Sequence, residues 1–314
     1  MLLRLISAAL IASALFMQTA TAGDRALNFV SINYPNAVFT LAQGINPEGD
    51  VVGMYADSSK TVHGFVLRHG IFASIDYPGS AYTEARGINP SGDIVGNYYM
   101  PGENPGFVLV PGGAPLNIHG FVLKRDGTWI PLSYPGHPNM ITAHIAVDGS
   151  VLGCFHDDNF GFWMRGFLWK DGIYTGLDGT EDGLNVPSSM SNGATPDLGQ
   201  IVGLFMDMTL SKNRAFAIQN GNLTPFDYPS TSVVSTRAWD INPSGAIVGD
   251  YRDATGAHGF LLEDGSFTSL TFPSTTVTLT QARSITPGGV IVGWYIDGAG
   301  ARGFLAVPMP AHGQ

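Results

Sequence analysis

The residues with the chemistry to form a site fall into three sets. The first is His144, Cys154, His156, Asp157 and Asp158, crowded onto one stretch of chain. Imidazole, thiolate and carboxylate are the donors of a soft zinc or copper site, and an imidazole beside a thiol can also activate it as a nucleophile. If Val147, Asp148 and Gly149 form a three-residue hairpin loop, residue 142 faces 154 and residue 140 faces 156, so His144, Cys154 and His156 project from one side. Asp157 has a plainer reading too, because an aspartate recurs in the same slot at Asp57, Asp207, Asp253 and Asp297. The second set is the loop Asp178-Gly179-Thr180-Glu181-Asp182-Gly183, whose oxygens suit Ca²⁺ although the spacing is not that of an EF-hand. The third set, Gln43, Arg86, His144, Trp239, Asp240 and Arg283, is scattered along the chain. It becomes a site only if the fold gathers it. The strings that usually announce catalysis are missing: G-x-S-x-G, H-E-x-x-H, the phosphate-binding loop and a strand-to-helix G-x-G-x-x-G.

The elements that must position these residues are written six times. An apolar-apolar-Gly step recurs at Gly53, Gly96, Gly153, Gly203, Gly249 and Gly293. An aromatic-Pro step recurs at Tyr34, Tyr77, Tyr134, Tyr228 and Phe272 and is missing from the fourth copy. A Gly-Phe or Ala-Phe step recurs at Phe65, Phe107, Phe167, Phe216, Phe260 and Phe304. Self-similarity with a period of roughly 40 to 50 residues marks a propeller or a solenoid, and β-solenoid coils repeat at roughly 20 to 30.

Each copy carries turn chemistry for four strands. Asn89-Pro90-Ser91-Gly92 reads as a type I turn, Asp253 to Gly256 as the next reversal, and Asp126-Gly127, Asp171-Gly172 and Asp264-Gly265 as two-residue hairpins. The stretch after the aromatic-Pro step is the longest connection and predicts the crossing between units. The expected fold is therefore an all-β six-bladed propeller with four strands per blade. Its N-terminal strand, about residues 27 to 33, completes the last blade by pairing with residues 304 to 307 and closes the ring. First strands line the axis of such a fold, and that gathers the third set around one channel, where arginines, a tryptophan and an aspartate could hold a sugar or an anion. The bland alternative is that they plug the channel by pairing with one another. The second copy also repeats Gly106-Phe107-Val108-Leu109 as Gly120-Phe121-Val122-Leu123, an added strand or flap.

Together the "DYP", "GIN", "GDIVG" and His-Gly-Phe steps, the last at His63-Gly64-Phe65, His119-Gly120-Phe121 and His258-Gly259-Phe260, resemble the bacterial extracellular HAF-repeat family from about residue 28 to 307. Arginine replaces the histidine at Arg165, Arg214 and Arg302. A slot that accepts either is expected to be a hydrogen-bond donor between strands, since a metal ligand has to be a neutral imidazole.

Composition sets the class. Gly (41) and Pro (20) are abundant among 314 residues, while only 13% are charged and 44% are hydrophobic. That composition buries a core and excludes a disordered or collagen-like chain. A formal charge of -10 with 15 Lys and Arg argues against nucleic acid as a partner. Arg4, the apolar run 5 to 16 and Ala20-Thr21-Ala22 read as a secretory signal over residues 1 to 22, leaving 23 to 314 as a single repeat domain, periplasmic or extracellular. The run is shorter than the ~20 residues of a membrane span, and no second one follows. Cys154 is the only cysteine, so no intrachain disulfide can form. The expected function is a binding module for carbohydrate or a cell-surface polymer. The alternatives are a hydrolase or lyase using the divergent third and fourth copies, with a transition metal or calcium, and an interaction scaffold.

Overall fold

The computed structural model describes residues 18–22, 25–103, 117–137, 139–157, 163–177, 189–195 and 199–309, all in strands, turns and connecting loops. The chain opens with β1 (Gln18–Ala22) and β2 (Arg25–Ile32). Then come β3 (Phe39–Ile45), β4 (Val51–Ala56), β5 (Val62–Arg68) and β6 (Ile71–Ile75), one antiparallel four-stranded sheet. A second sheet holds β7 (Tyr82–Ile88), β8 (Ile94–Tyr99), β9 (His119–Leu123) and β10 (Trp129–Leu132). The third is β11 (Met140–Ile145), β12 (Val151–Asp157), β13 (Trp163–Lys170) and β14 (Ile173–Gly176); the fourth is β15 (Ser189–Ala194), β16 (Gln200–Asp207), β17 (Lys212–Gln219) and β18 (Asn222–Phe226).

The remaining strands are β19 (Ser235–Ile241), β20 (Ile247–Asp253), β21 (Gly256–Glu263), β22 (Ser266–Leu270), β23 (Leu279–Ile285), β24 (Ile291–Asp297) and β25 (Gly300–Pro308). They share one larger sheet, in which a single parallel bridge, Ala257 to Leu279, joins β19–β22 to a group formed by β23, β24, β25 and β2. β2 pairs antiparallel with β25, from Leu27 opposite Pro308 to Ile32 opposite Gly303. The expected contact between the two ends of the chain is present. Each first strand packs on the second and third strands of the preceding group: β7 on β4 and β5, β19 on β16 and β17, β23 on β20 and β21, and β3 on β24 and β25.

The repeat anchors are core. Gly53 pairs with Phe65, and a Cβ on Gly53 would stand 2.0 Å from the Leu41 carbonyl oxygen and 2.8 Å from the Phe65 ring. Only glycine lets the ring lie across the strand. Phe65, Phe121, Phe167, Phe216, Phe260 and Phe304 are all sealed from solvent, each a burial contributing about 1.5–3 kcal/mol. The aromatic-Pro residue holds the connection onto the next group: Tyr34 stacks on Tyr55 at 3.6 Å, Tyr77 on Tyr98 at 3.6 Å, Tyr228 on Tyr251 at 3.7 Å and Phe272 on Tyr295 at 3.6 Å.

Three expectations need correction. In the second copy Phe121, not Phe107, pairs with the strand glycine, here Gly96. Residues 104–116, with Phe107, lie outside the described residues. In the third copy Ile141 rather than Thr142 faces Cys154, and Met140 faces Phe155 rather than His156, because a β-bulge at Ala143 shifts the register by one. Asp126-Gly127 is not a two-residue hairpin: Gly127 N–H bonds the Lys124 carbonyl, and Asp126 keeps a negative φ. The left-handed pairs that close such hairpins are His69-Gly70, Asp171-Gly172, Asn220-Gly221 and Asp264-Gly265. Gln18–Ala22, at the end of the expected leader, pairs as β1 with β2; residues 1–17 lie outside the described residues.

Candidate functional site

Every first strand carries one β-bulge. The register slips between Ala42 and Gly44, Ala85 and Gly87, Thr142 and His144, Ser191 and Gly193, Ala238 and Asp240, and Ala282 and Ser284. The extra residues are Gln43, Arg86, Ala143, Asn192, Trp239 and Arg283, and a bulge of this kind re-aims a side chain out of the pleat. All of them line one cavity of about 100 Å³, with His144 and Asp240 from the next position along their strands. The whole third set, Gln43, Arg86, His144, Trp239, Asp240 and Arg283, is thus brought together. Asn192 joins it unforeseen. Pro47, Pro90, Pro243 and Pro287 from the β-turns also line the cavity, with Val147 in the third copy. Room for about three waters at ~30 Å³ each is less than the ~300 Å³ of a typical small-molecule pocket.

Much of the lining is mutually paired. The Arg283 Nε–H donates to Gln43 Oε1 at 2.8 Å, and its guanidinium lies 3.6 Å from the Trp239 ring centre. Trp239 Nε1–H donates in turn to Asp250 Oδ1, and Arg237 donates to Asp250 Oδ2 at 2.6 Å. On the other side Arg86 donates to Glu84 Oε1 at 2.7 Å, Asn97 donates to the same oxygen at 2.8 Å and Tyr82 O–H donates to Oε2 at 3.0 Å. Burial by itself would raise the Glu84 pKa; Arg86, Asn97 and Tyr82 outweigh it and hold the carboxyl below its ordinary value. The Asp240 carboxylate accepts from Ser284 O–H and from the backbone N–H groups of Ile285 and Ile241. Burial nonetheless raises its pKa, and lowers that of His144, whose Nδ1 is 3.8 Å from Asp240 Oδ1.

Glu84, Asn97, Arg237 and Asp250 escape a reading of the sequence by motif. A signal was there: the position after the strand glycine is Met54, Cys154, Leu204 and Trp294 in four copies but Asn97 and Asp250 in the other two. A polar residue in a slot otherwise apolar marks where copies diverge inside the core.

The first set is not gathered in the same way. Cys154 is fully buried in an apolar cluster with Ile141 and Leu204, flanked by Ala143, Met164 and Trp239. Burial pushes its thiol up to about 12, against the pull of Arg86, so at neutral pH the sulfur is neither a nucleophile nor a thiolate ligand. His144 faces the axial cavity instead. Among the described residues no three His, Cys, Asp or Glu side chains converge as a metal site. Asp158 and the loop from Asp178 to Gly183 lie outside the described residues, as does the side chain of Asp157. The His/Arg slot behaves as a donor: His63 Nδ1 is 2.7 Å from Asp76, Arg214 pairs with Asp207 and Asp227, and Arg302 with Asp297. His63 also stacks on Tyr55, and the Arg302 guanidinium covers Tyr295 at 5.3 Å, which explains why the two residue types interchange.

No family model matches the chain, and no curated protein does. Solved structures do. A structure assigned as TolB from Agrobacterium tumefaciens is 12% identical, with a TM-score of 0.54 over 94% of this chain and 100% of that one. TolB from Acinetobacter baumannii is 13% identical, with a TM-score of 0.53 over 81% of this chain and 61% of that one. Likeness at such identities shows the fold alone, which is all-β and propeller-like. Among the described residues no helix is long and apolar enough to cross a membrane.

Proposed function

We propose that the chain is an exported binding module of the HAF-repeat kind, a six-bladed propeller closed by β2 on β25, which takes a carbohydrate or cell-surface polymer at the axial cavity. The observation that carries this reading is the convergence of the bulged residues of all six first strands on one opening. The repeated glycines and phenylalanines are spent on the core, whereas the axial positions differ from copy to copy, and difference is what a ligand without sixfold symmetry requires. Export is supported by the leader pattern of residues 1 to 22. The buried, protonated Cys154 gives no support to a hydrolase or lyase built on the third copy.

An array of glycans and envelope polymers tests the reading. Wild-type protein is expected to bind a small group of related polymers, and Trp239→Ala to lose roughly tenfold or more of that affinity. An array without a hit, or a hit that Trp239→Ala and Gln43→Ala leave untouched, overturns it.

A further inference from the structure

The axial cavity has an imbalance of charge partners. The Arg86 and Arg283 guanidinium groups line it and Arg237 lies against Trp239 in its wall, and two of the three are matched: Arg86 with Glu84 and Arg237 with Asp250. Arg283 is not. Its Nε–H goes to the neutral amide of Gln43 and its flat face to Trp239, and among the described residues no carboxylate lies within ion-pair distance. Its four Nη hydrogens have no acceptor among the described residues, yet neither Nη atom is sealed off, so they front open space. Burial, with the like charges of Arg86 and Arg237, pulls the guanidinium pKa down to about 9 against the longer-range attraction of Asp250 and Glu84, and the group stays cationic at neutral pH. A buried cation with no anion in direct contact is costly, and an arriving anion relieves that cost.

We propose that Arg283 is the anchor of an oxyanion subsite, taking one carboxylate group of a ligand into the axial cavity through its free Nη edge. This rests on the binding-module reading and gives its ligand a chemistry. Guanidinium and carboxylate match as a planar two-point pair, and a carboxylate group fits within about 100 Å³. The Asp240 carboxylate is also in the wall, but its oxygens are engaged by Ser284, Ile285 and Ile241. Pro47, Pro90, Pro243 and Pro287 give the cavity stiff walls, which suits a protruding acidic group or chain end.

Calorimetric titration with sodium D-glucuronate, sodium acetate and D-glucose tests the subsite. Wild-type protein is expected to bind glucuronate at one site and glucose at least roughly tenfold more weakly, with Arg283→Gln removing that preference. Acetate bound as well as glucuronate identifies a free small acid as the source of the carboxylate; acetate bound much more weakly identifies an acidic sugar. Either result supports the subsite. Glucose and glucuronate bound alike by wild type, neither bound, or full glucuronate affinity in Arg283→Gln overturns it. Should Arg283→Gln fail to fold by circular dichroism, wild type alone decides: glucuronate affinity must fall as salt is raised, and a salt-independent affinity counts against the pair. A polymer array with only neutral hits sinks this inference and leaves the binding module standing, whereas an empty array sinks the module itself.

Discussion

His144 sits where a charge is least welcome, enclosed in the axial cavity beside Asp240. Burial lowers its pKa from the ordinary 6.5, against the attraction of Asp240. A histidine with a depressed folded pKa binds its proton more readily in the unfolded chain, so its contribution to stability is complete above that ordinary value and is lost as the pH falls through the folded one. Asp240 works in the opposite sense: its raised folded pKa favours the protonated fold, and that contribution is lost as the pH rises through the folded value. Asp240 is retained in His144→Gln but titrates without the opposing charge of the histidine, so the difference between the two proteins reports His144 together with its coupling to Asp240. The variant is expected to flatten the decline of Tm with acidification below about pH 6.5, and parallel curves for variant and wild type would refute the assignment. The identity of each axial residue is legible in the sequence. Its partner is not, as Arg283 and Gln43 meet across 240 positions of chain.

At the scale of elements, the asparagine of each "NP" turn does two jobs. Asn89 Oδ1 accepts the Asp93 N–H at 2.9 Å and closes its own turn, while its Nδ2 donates to the Ala146 carbonyl in the next sheet at 3.3 Å. Asn46 reaches the Asn89 carbonyl and Asn242 the Thr286 carbonyl in the same manner. Turn chemistry reveals the first job, since Asx turns are local. The second appears only when neighbouring first strands lie side by side. Asn89 is 2% exposed, so Asn89→Ala strands the Asp93 N–H, while the Ala146 carbonyl keeps its bond from the Gly149 N–H, and it is expected to cost about 1–3 kcal/mol in denaturant unfolding. A loss below about 0.5 kcal/mol, the range of ordinary surface substitutions, would show that the link between sheets contributes nothing. The register error in the third copy has the same root: alternation predicts which face a residue takes only while the ladder is unbroken, and the bulge at Ala143 breaks it.

For the whole molecule, the junction between its two ends is the point of greatest leverage. Phe29 of β2 is 2% exposed and packs against Phe304 at 5.5 Å and Phe272 at 5.7 Å. Phe29→Ala is expected to cost about 3–5 kcal/mol and to lower Tm with one transition retained if the whole chain unfolds as a unit. Two separated transitions would show that the terminal group unfolds apart from the rest, and an unchanged Tm would mean that β2 is not needed to hold the last group of strands. By itself the sequence determined the strand-and-turn plan, the sixfold repetition and the meeting of β2 with β25, because hairpin turns, alternation and repeated glycine-phenylalanine pairs are local signals that each copy states again. Only the tertiary structure decided which axial charges are matched and which is left over. Ion pairing at the axis depends on the bulges and on distances between strands far apart in the chain, and neither is written in any single repeat.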